Sequence, residues 1–167
     1  MKFKRHLLIA CFIAMQLLAS ITIYAQKGAA QLRTLANAWM DALNRHDTDA
    51  IAKMYSDDAQ LESPNWQGVK TGSAGAMEVY GRYFISTPDL QQKMTHLITT
   101  DSNIVIEYVS SGTLMHPEKS TPEYMRGKKY TLQNCTRLDI RNGKIIKQIN
   151  YFDQVAFLRQ VGFFDQH

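Results

Sequence analysis

Few residues in this chain are of a type and spacing that could do chemistry. The 167 residues hold two cysteines, Cys11 and Cys135, and five histidines. His46, His96, His116 and His167 lie beyond residue 25, and no two fall at metal-ligand spacing on one expected element. No metal is therefore assigned. His96 shares a strand face with Met94 and Ile98, where an imidazole can act as a pocket base or as a hydrogen-bonded structural residue. Glu107, between Val105 and Val109, is either a buried acid or part of a subunit surface. Tyr80 and Tyr83 recur with Phe84 on one helix face and can wall a pocket. Trp39, on another helix stripe, can line the same space or belong to the core. Asn134 and Tyr151, on neighbouring strands, can orient a carbonyl, with sheet packing as their other role. Asp153 precedes Gln154-Val155-Ala156 and is a natural N-cap, where backbone N–H groups would keep its carboxylate ionised. His46 and His116 fall in turns or strand ends and read as solvated.

These residues must be positioned by helices that come first and strands that follow. From Ala29 to Arg45, Leu32, Leu35, Ala36, Trp39, Ala42 and Leu43 recur at three and four, the stripe of an amphipathic helix. Asp47 can cap a second, shorter helix whose Ala50, Ile51, Met54 and Tyr55 point one way. Ser56-Asp57-Asp58 reads as a turn, Ala59 to Ser63 as a short strand stopped by Pro64, and Ser73 to Ser86 as a third helix closed by Pro88. From Gln91 onward the period alternates. Strands are expected over Lys93–Thr100 and Ile104–Met115. A long hairpin follows, Tyr130 to Asp153, joined at Asn142-Gly143, and a short helix from Gln154 closes the chain. This order predicts an α+β domain in which a curved antiparallel sheet wraps over helices.

The hairpin register decides which side chains share a face. A two-residue turn at Asn142-Gly143 sets Ile140 opposite Ile145 and Asn134 opposite Tyr151. Leu132, Asn134, Thr136, Leu138, Ile149, Tyr151 and Asp153 then form the more apolar, concave face. A three-residue turn with a bulge would slip the pairing by one and exchange the partners. On the first register the opposite face carries Gln133, Cys135, Arg137, Ile146, Gln148 and Phe152.

The first 25 residues read as a signal peptide: Lys2, Lys4 and Arg5, an apolar run from Leu7 to Ile23, and cleavage after Ala25. Export to the periplasm or the medium follows, with a soluble domain from 26 to 167 and no stable membrane insertion after cleavage. A membrane anchor and a lipidated Cys11 are the weaker readings of the same segment. The formal charge of +4 belongs largely to this leader, since without it 16 basic residues face 15 acidic ones. No basic stripe remains, so nucleic acid is not an expected partner. With Cys135 alone, the domain has no internal disulfide.

Several strings resemble the nuclear transport factor two-like superfamily, and within it the SnoaL-like polyketide cyclases. They are Ala38 to Pro64, Pro88-Asp89-Leu90, Ser111-Gly112-Thr113, Arg126 to Tyr130, Asn142-Gly143-Lys144-Ile145, Tyr151-Phe152-Asp153 and Phe157 to Gly162. The resemblance implies a cone: a strongly bent sheet and three N-terminal helices around a pocket, with a homodimer formed through the sheet. It also implies a small apolar or carbonyl-containing ligand.

Within that superfamily the ketosteroid isomerases use a tyrosine, an aspartate before a proline and a second acid. The matching positions here hold Trp39, Ser63 and either Asn134 or Cys135, which argues against steroid isomerase activity. SnoaL-like cyclases need one carboxylate in an apolar pocket and no cofactor, and Asp153 matches their aspartate in the last strand. The implied function is cofactor-free cyclisation or isomerisation of a carbonyl compound with Asp153 as acid/base. Trp39, Tyr80, Tyr83, His96, Asn134 and Tyr151 would contact the ligand. The alternative is a non-catalytic binding or assembly module. Epoxide hydrolysis is weaker, because Asn150 stands where that chemistry wants an acid.

Overall fold

The computed structural model describes Gln26, residues 28–118 and residues 121–165. The expected leader, residues 1–25, lies outside them. Helix α1 spans 28–44 and buries Leu32, Ala36, Trp39, Met40, Ala42 and Leu43, the stripe that the spacing predicts. His46 takes φ 54° in the turn that follows. Asp47 then accepts the Ala50 N–H at 2.9 Å and caps helix α2, Thr48–Ala52. Strand β1, Tyr55–Glu62, includes the Ser56-Asp57-Asp58 segment expected as a turn. Its acidic side chains are exposed, and Asp58 accepts from Ser56 Oγ at 2.7 Å and from Arg141 at 2.8 Å. Turn-forming residues are tolerated there because their side chains stay in water and the pairing partner is irregular between Tyr55 and Gln60.

Strand β2, Lys70–Thr71, leads into helix α3, Gly72–Ser86. Strands β3, Gln91–Thr99, β4, Asn103–Thr113, β5, Lys129–Arg141, and β6, Lys144–Phe152, follow, and helix α4, Gln154–Gln160, comes last. The six-stranded sheet has the order β2-β1-β6-β5-β4-β3. Four of its pairs are antiparallel, but β1 and β6 run parallel, so the sheet is mixed. A parallel pair needs a long crossover, and α3 with the β3–β5 meander supplies it. The core packs α1 and α2 against the concave side of the sheet, with Trp39, Leu43, Ile51, Leu61, Ile104, Ile106, Leu138 and Ile145 fully buried. Each such aliphatic side chain contributes about 1.5–3 kcal/mol.

Two bulges redistribute the residues on which the pocket depends. The hairpin turn is of the two-residue kind: Asn142 and Gly143 have φ 53° and 73°, Arg141 pairs with Lys144, and Ile140 with Ile145. The next pair is Asp139 with Lys147, so Ile146 is the extra residue of a bulge. Beyond it Leu138 faces Gln148, Thr136 faces Asn150 and Asn134 faces Phe152. Gln148, Asn150 and Phe152 therefore turn inward, whereas Ile149, Tyr151 and Asp153, expected on the concave face, do not. On β3 the pairing skips from Met94–Tyr108 to His96–Glu107, leaving Thr95 as the extra residue. His96 consequently leaves the face of Met94 and joins Glu107 outside, both of them exposed.

The remaining strings fasten the ends of the cone. Asp89 accepts from the backbone N–H and the hydroxyl of Thr113, each at 2.7 Å. Gly112 lies between them, where a Cβ would come within 2.3 Å of Thr87 Cγ2. Gln160 accepts the Thr131 N–H at 2.7 Å and donates to its carbonyl at 3.0 Å, standing in for a strand partner at the start of β5.

Candidate functional site

A pocket of about 80 Å³ opens between α3 and the concave face of the sheet. Tyr80 and Tyr83 come from α3, and Asn65 and Trp66 from the loop after β1. Tyr108 and Ser110 come from β4, Tyr130, Leu132 and Asn134 from β5, and Gln148, Asn150 and Phe152 from β6, with Leu43, Leu90 and Gln92 completing the wall. No lining residue is acidic, basic or a histidine.

Its floor is a hydroxyl–amide network. The Trp39 indole N–H donates to Tyr55 Oη at 3.1 Å. Tyr55 donates in turn to Gln148 Oε1, and Tyr80 donates to the same oxygen at 3.0 Å. Two residues further along β6, Asn150 Oδ1 accepts from Thr136 Oγ1 at 2.7 Å and from Tyr108 Oη at 3.2 Å. Four hydroxyls thus hold the carbonyl ends of two pocket-lining amides, which leaves the Gln148 Nε2 and Asn150 Nδ2 groups as donors for other partners. Trp39 braces the set edge-on against Tyr80 and Tyr108, with ring centroids 6.2 and 6.3 Å apart.

Burial governs the electrostatics. It pushes the Tyr55 phenol up to about 12, with bonds from Tyr80 and Trp39 partly opposing it. Burial likewise raises Tyr83 to about 12 and lifts Tyr80 and Tyr108 well above the ordinary 10.0. These phenols stay protonated donors throughout the ordinary pH range. An uncharged, donor-rich pocket can hold and polarise a carbonyl oxygen. It has no group suited to remove a proton from carbon near neutrality.

Of the residues singled out in the sequence, Tyr80, Tyr83 and Asn134 line this pocket. Asn134 Nδ2 donates to Ser110 Oγ and to the Leu132 carbonyl, both at 3.1 Å. Trp39 is 1% exposed and lies behind the lining, within the core. Tyr151 is 53% exposed on the outer face, beside Glu107 and Cys135. His96 is exposed beside Glu107, as the β3 bulge requires. Asp153 lies outside the pocket lining, exposed, and accepts the Ala156 N–H at 2.9 Å as the cap of α4. Cys135 sits on the outer face, where burial, followed by the Glu107 charge, raises its thiol pKa. Among the described residues no group of three His, Cys, Asp or Glu could hold a metal ion. No helix among them is long and apolar enough to cross a membrane.

The sequence reading missed Trp66, Gln92 and Asn150 as pocket residues, placed Tyr55 on the second helix where it opens β1, and set Gln148 on the outer sheet face. Gln148 and Asn150 carried a signal, since they alternate with Phe152, but the bulge concealed which face that series occupies. Tyr108 was also legible, at the end of the inward series Ile104, Ile106, Tyr108.

The bent sheet, the helices packed over its concave side and the aromatic-lined pocket define a cone-fold domain of the nuclear transport factor two-like kind. The chain belongs to the SnoaL-like domain family, whose pattern matches residues 36–148. Solved structures share the fold at low identity. A SnoaL-like polyketide cyclase from Agrobacterium tumefaciens strain C58 superposes with TM-score 0.66 at 21% identity, over 78% of this chain and 98% of that one. A protein of ketosteroid isomerase-like fold from Catenulispora acidiphila, in complex with trimethylamine, gives 0.64 at 18%, over 77% and 92%. TerC, co-crystallised with polyporic acid, gives 0.64 at 19%, over 78% and 98%. No curated protein matches the chain.

Proposed function

We propose that this domain binds a neutral small molecule carrying a carbonyl oxygen, with that oxygen set against the Gln148 and Asn150 amide groups. One observation carries the reading: the lining is uncharged, and its two inward amides on β6 are clamped by Tyr55, Tyr80, Tyr108 and Thr136 so that N–H groups are offered to the pocket. An acceptor oxygen meets oriented donors there, whereas a carboxylate would be desolvated without a counter-charge. The test is calorimetric titration of the purified protein with acetophenone and with benzoate at pH 7. Acetophenone should bind at least about tenfold more tightly, a difference of about 1.4 kcal/mol. Equal or tighter binding of benzoate would overturn the proposal.

Turnover of the cyclase or isomerase kind is the second reading, favoured by membership of the SnoaL-like family. With Asp153 engaged as a cap, the chain's contribution would be polarisation of the carbonyl by Gln148 and Asn150, acting on a substrate whose C–H is already acidic. Asp153→Asn would then leave turnover intact, and its loss would return Asp153 to the role of acid/base. Export and pairing of two copies through the outer sheet face belong to the same proposal. They are supported by the leader-like residues 1–25 and by Ile98 and Tyr151, exposed on that face. Sedimentation of the protein as a monomer would remove the pairing.

A further inference from the structure

Buried polar atoms without partners are rare in folded proteins, and each one asks for an explanation. Among the described residues three side-chain atoms are in this position: Trp66 Nε1, Gln92 Oε1 and Arg137 Nε. Arg137 is accounted for by its ion pair with Asp139 at 3.1 Å. The other two both belong to the pocket wall. They are also complementary, since an indole nitrogen only donates and an amide oxygen only accepts.

Neither residue is placed by chance. Asn44, at the end of α1, accepts the Gln92 N–H at 2.8 Å and donates to the Gln92 carbonyl at 2.9 Å, which fixes the start of β3 and hence the root of the Gln92 side chain. Gln92 pairs across the sheet with Ser110, another lining residue, so its side chain belongs to the inward series. Asn65 donates to Tyr83 Oη at 2.9 Å and holds the loop after β1 against α3, and the Trp66 ring lies 6.4 Å from that of Tyr83. Two anchored elements on different parts of the wall each carry one unmet hydrogen-bonding group.

We infer that Trp66 and Gln92 are specificity-determining poles of the site: the Trp66 N–H donates to an acceptor oxygen of the ligand, and Gln92 Oε1 accepts from a ligand hydroxyl or N–H. The inference rests on the binding reading above and narrows it. The ligand carries a donor as well as a carbonyl, at separate points of an apolar body. Its class is a neutral hydroxy-carbonyl or an N–H analogue, in which loss of either group leaves one pole unmet.

Three probes of similar shape test this: 4-hydroxyacetophenone, with both groups, 4-methoxyacetophenone, without the donor, and 4-ethylphenol, without the carbonyl. Titrations at pH 6 keep the phenols neutral, and circular dichroism melts of each variant establish that it is folded. The unmodified protein should prefer the first probe to either of the others by about three- to tenfold, the range of one neutral hydrogen bond. Gln92→Met should abolish the preference over the methoxy probe while keeping the preference over ethylphenol. Trp66→Phe should reduce the preference over ethylphenol to what the Gln148 and Asn150 amides alone supply, while keeping the preference over the methoxy probe. If both variants weaken all three probes alike, the two residues supply shape only and the inference fails. Equal affinity of the unmodified protein for all three probes also sinks it while leaving the binding reading standing. Absence of binding for every probe ends both.

Discussion

Gln148 is the residue on which the pocket floor depends, and replacing it separates a hydrogen-bonding role from simple packing. In Gln148→Leu the buried hydroxyls of Tyr55 and Tyr80 lose their shared acceptor. Their oxygens lie 3.5 Å apart, so one can turn to the other, and one O–H is left unmet. An unmet buried donor costs about 1–3 kcal/mol, and the lost bonds add about 0.5–1.5 kcal/mol each. Leucine fills much of the same space at this 3%-exposed position, so the cavity term is small. The expected loss is about 2–4 kcal/mol, which a domain of ordinary stability survives. Gln148→Glu is the control. At pH 4.5 a neutral carboxylic acid still accepts from both phenols, and the variant should stay within about 1 kcal/mol of the parent. Burial should raise that carboxyl above its unfolded value of about 4.3, so the stability it retains is present below pH 4.3 and is lost as pH rises toward its folded pKa. The decline should be about 1.4 kcal/mol per pH unit. Urea denaturation of the three proteins between pH 4.5 and 7 measures all of this. Equal stability of the Leu and Glu variants at pH 4.5, or a loss below about 1 kcal/mol for Leu, would refute a structural role for the phenol–amide bonds.

Two other expectations concern Asp153 and the buried phenols. Asp153→Ala should lower stability by about 1 kcal/mol through the lost cap of α4, and it should leave the affinity for 4-hydroxyacetophenone unchanged in calorimetry; a marked loss of affinity would place the carboxylate at the ligand after all. The buried phenols predict an alkaline limit. Tyr55 and Tyr83 are raised from 10.0 to about 12, so the folded state holds its protons longer than the unfolded chain. Their contribution is complete below pH 10 and declines as pH rises toward 12, by about 1.4 kcal/mol per pH unit for each tyrosine. Denaturation midpoints that stay flat from pH 10 to 12, or phenolate absorbance that develops fully by pH 11 in the folded protein, would contradict the burial.

The order and type of the main elements were determined by the sequence, though β2 and the Tyr55–Asp58 start of β1 were not. The stripe from Leu32 to Leu43 buries where its spacing predicts, because a helix face is set by local period alone. Asp47 and Asp153 cap the helices that they precede, and Asn142-Gly143 makes the two-residue turn, because capping and left-handed φ are properties of a few adjacent residues. The strings shared with the SnoaL-like proteins were legible for the same reason, and the fold with them.

The lining of the pocket was decided only in three dimensions. The side-chain period of a strand is two residues, so one inserted residue exchanges every position beyond it between the faces. On β6 the adjacent Ile145 and Ile146 make either register acceptable to the core, and nothing local marks Ile146 as the bulge that brings in Gln148 and Asn150 and turns Tyr151 out. On β3 the extra Thr95 does the same to His96. The parallel pairing of β1 with β6 joins residues some ninety positions apart, and it brings Tyr55 beneath Gln148. Contacts of that range belong to the closure of the sheet over the helices, and no window of neighbouring residues contains them.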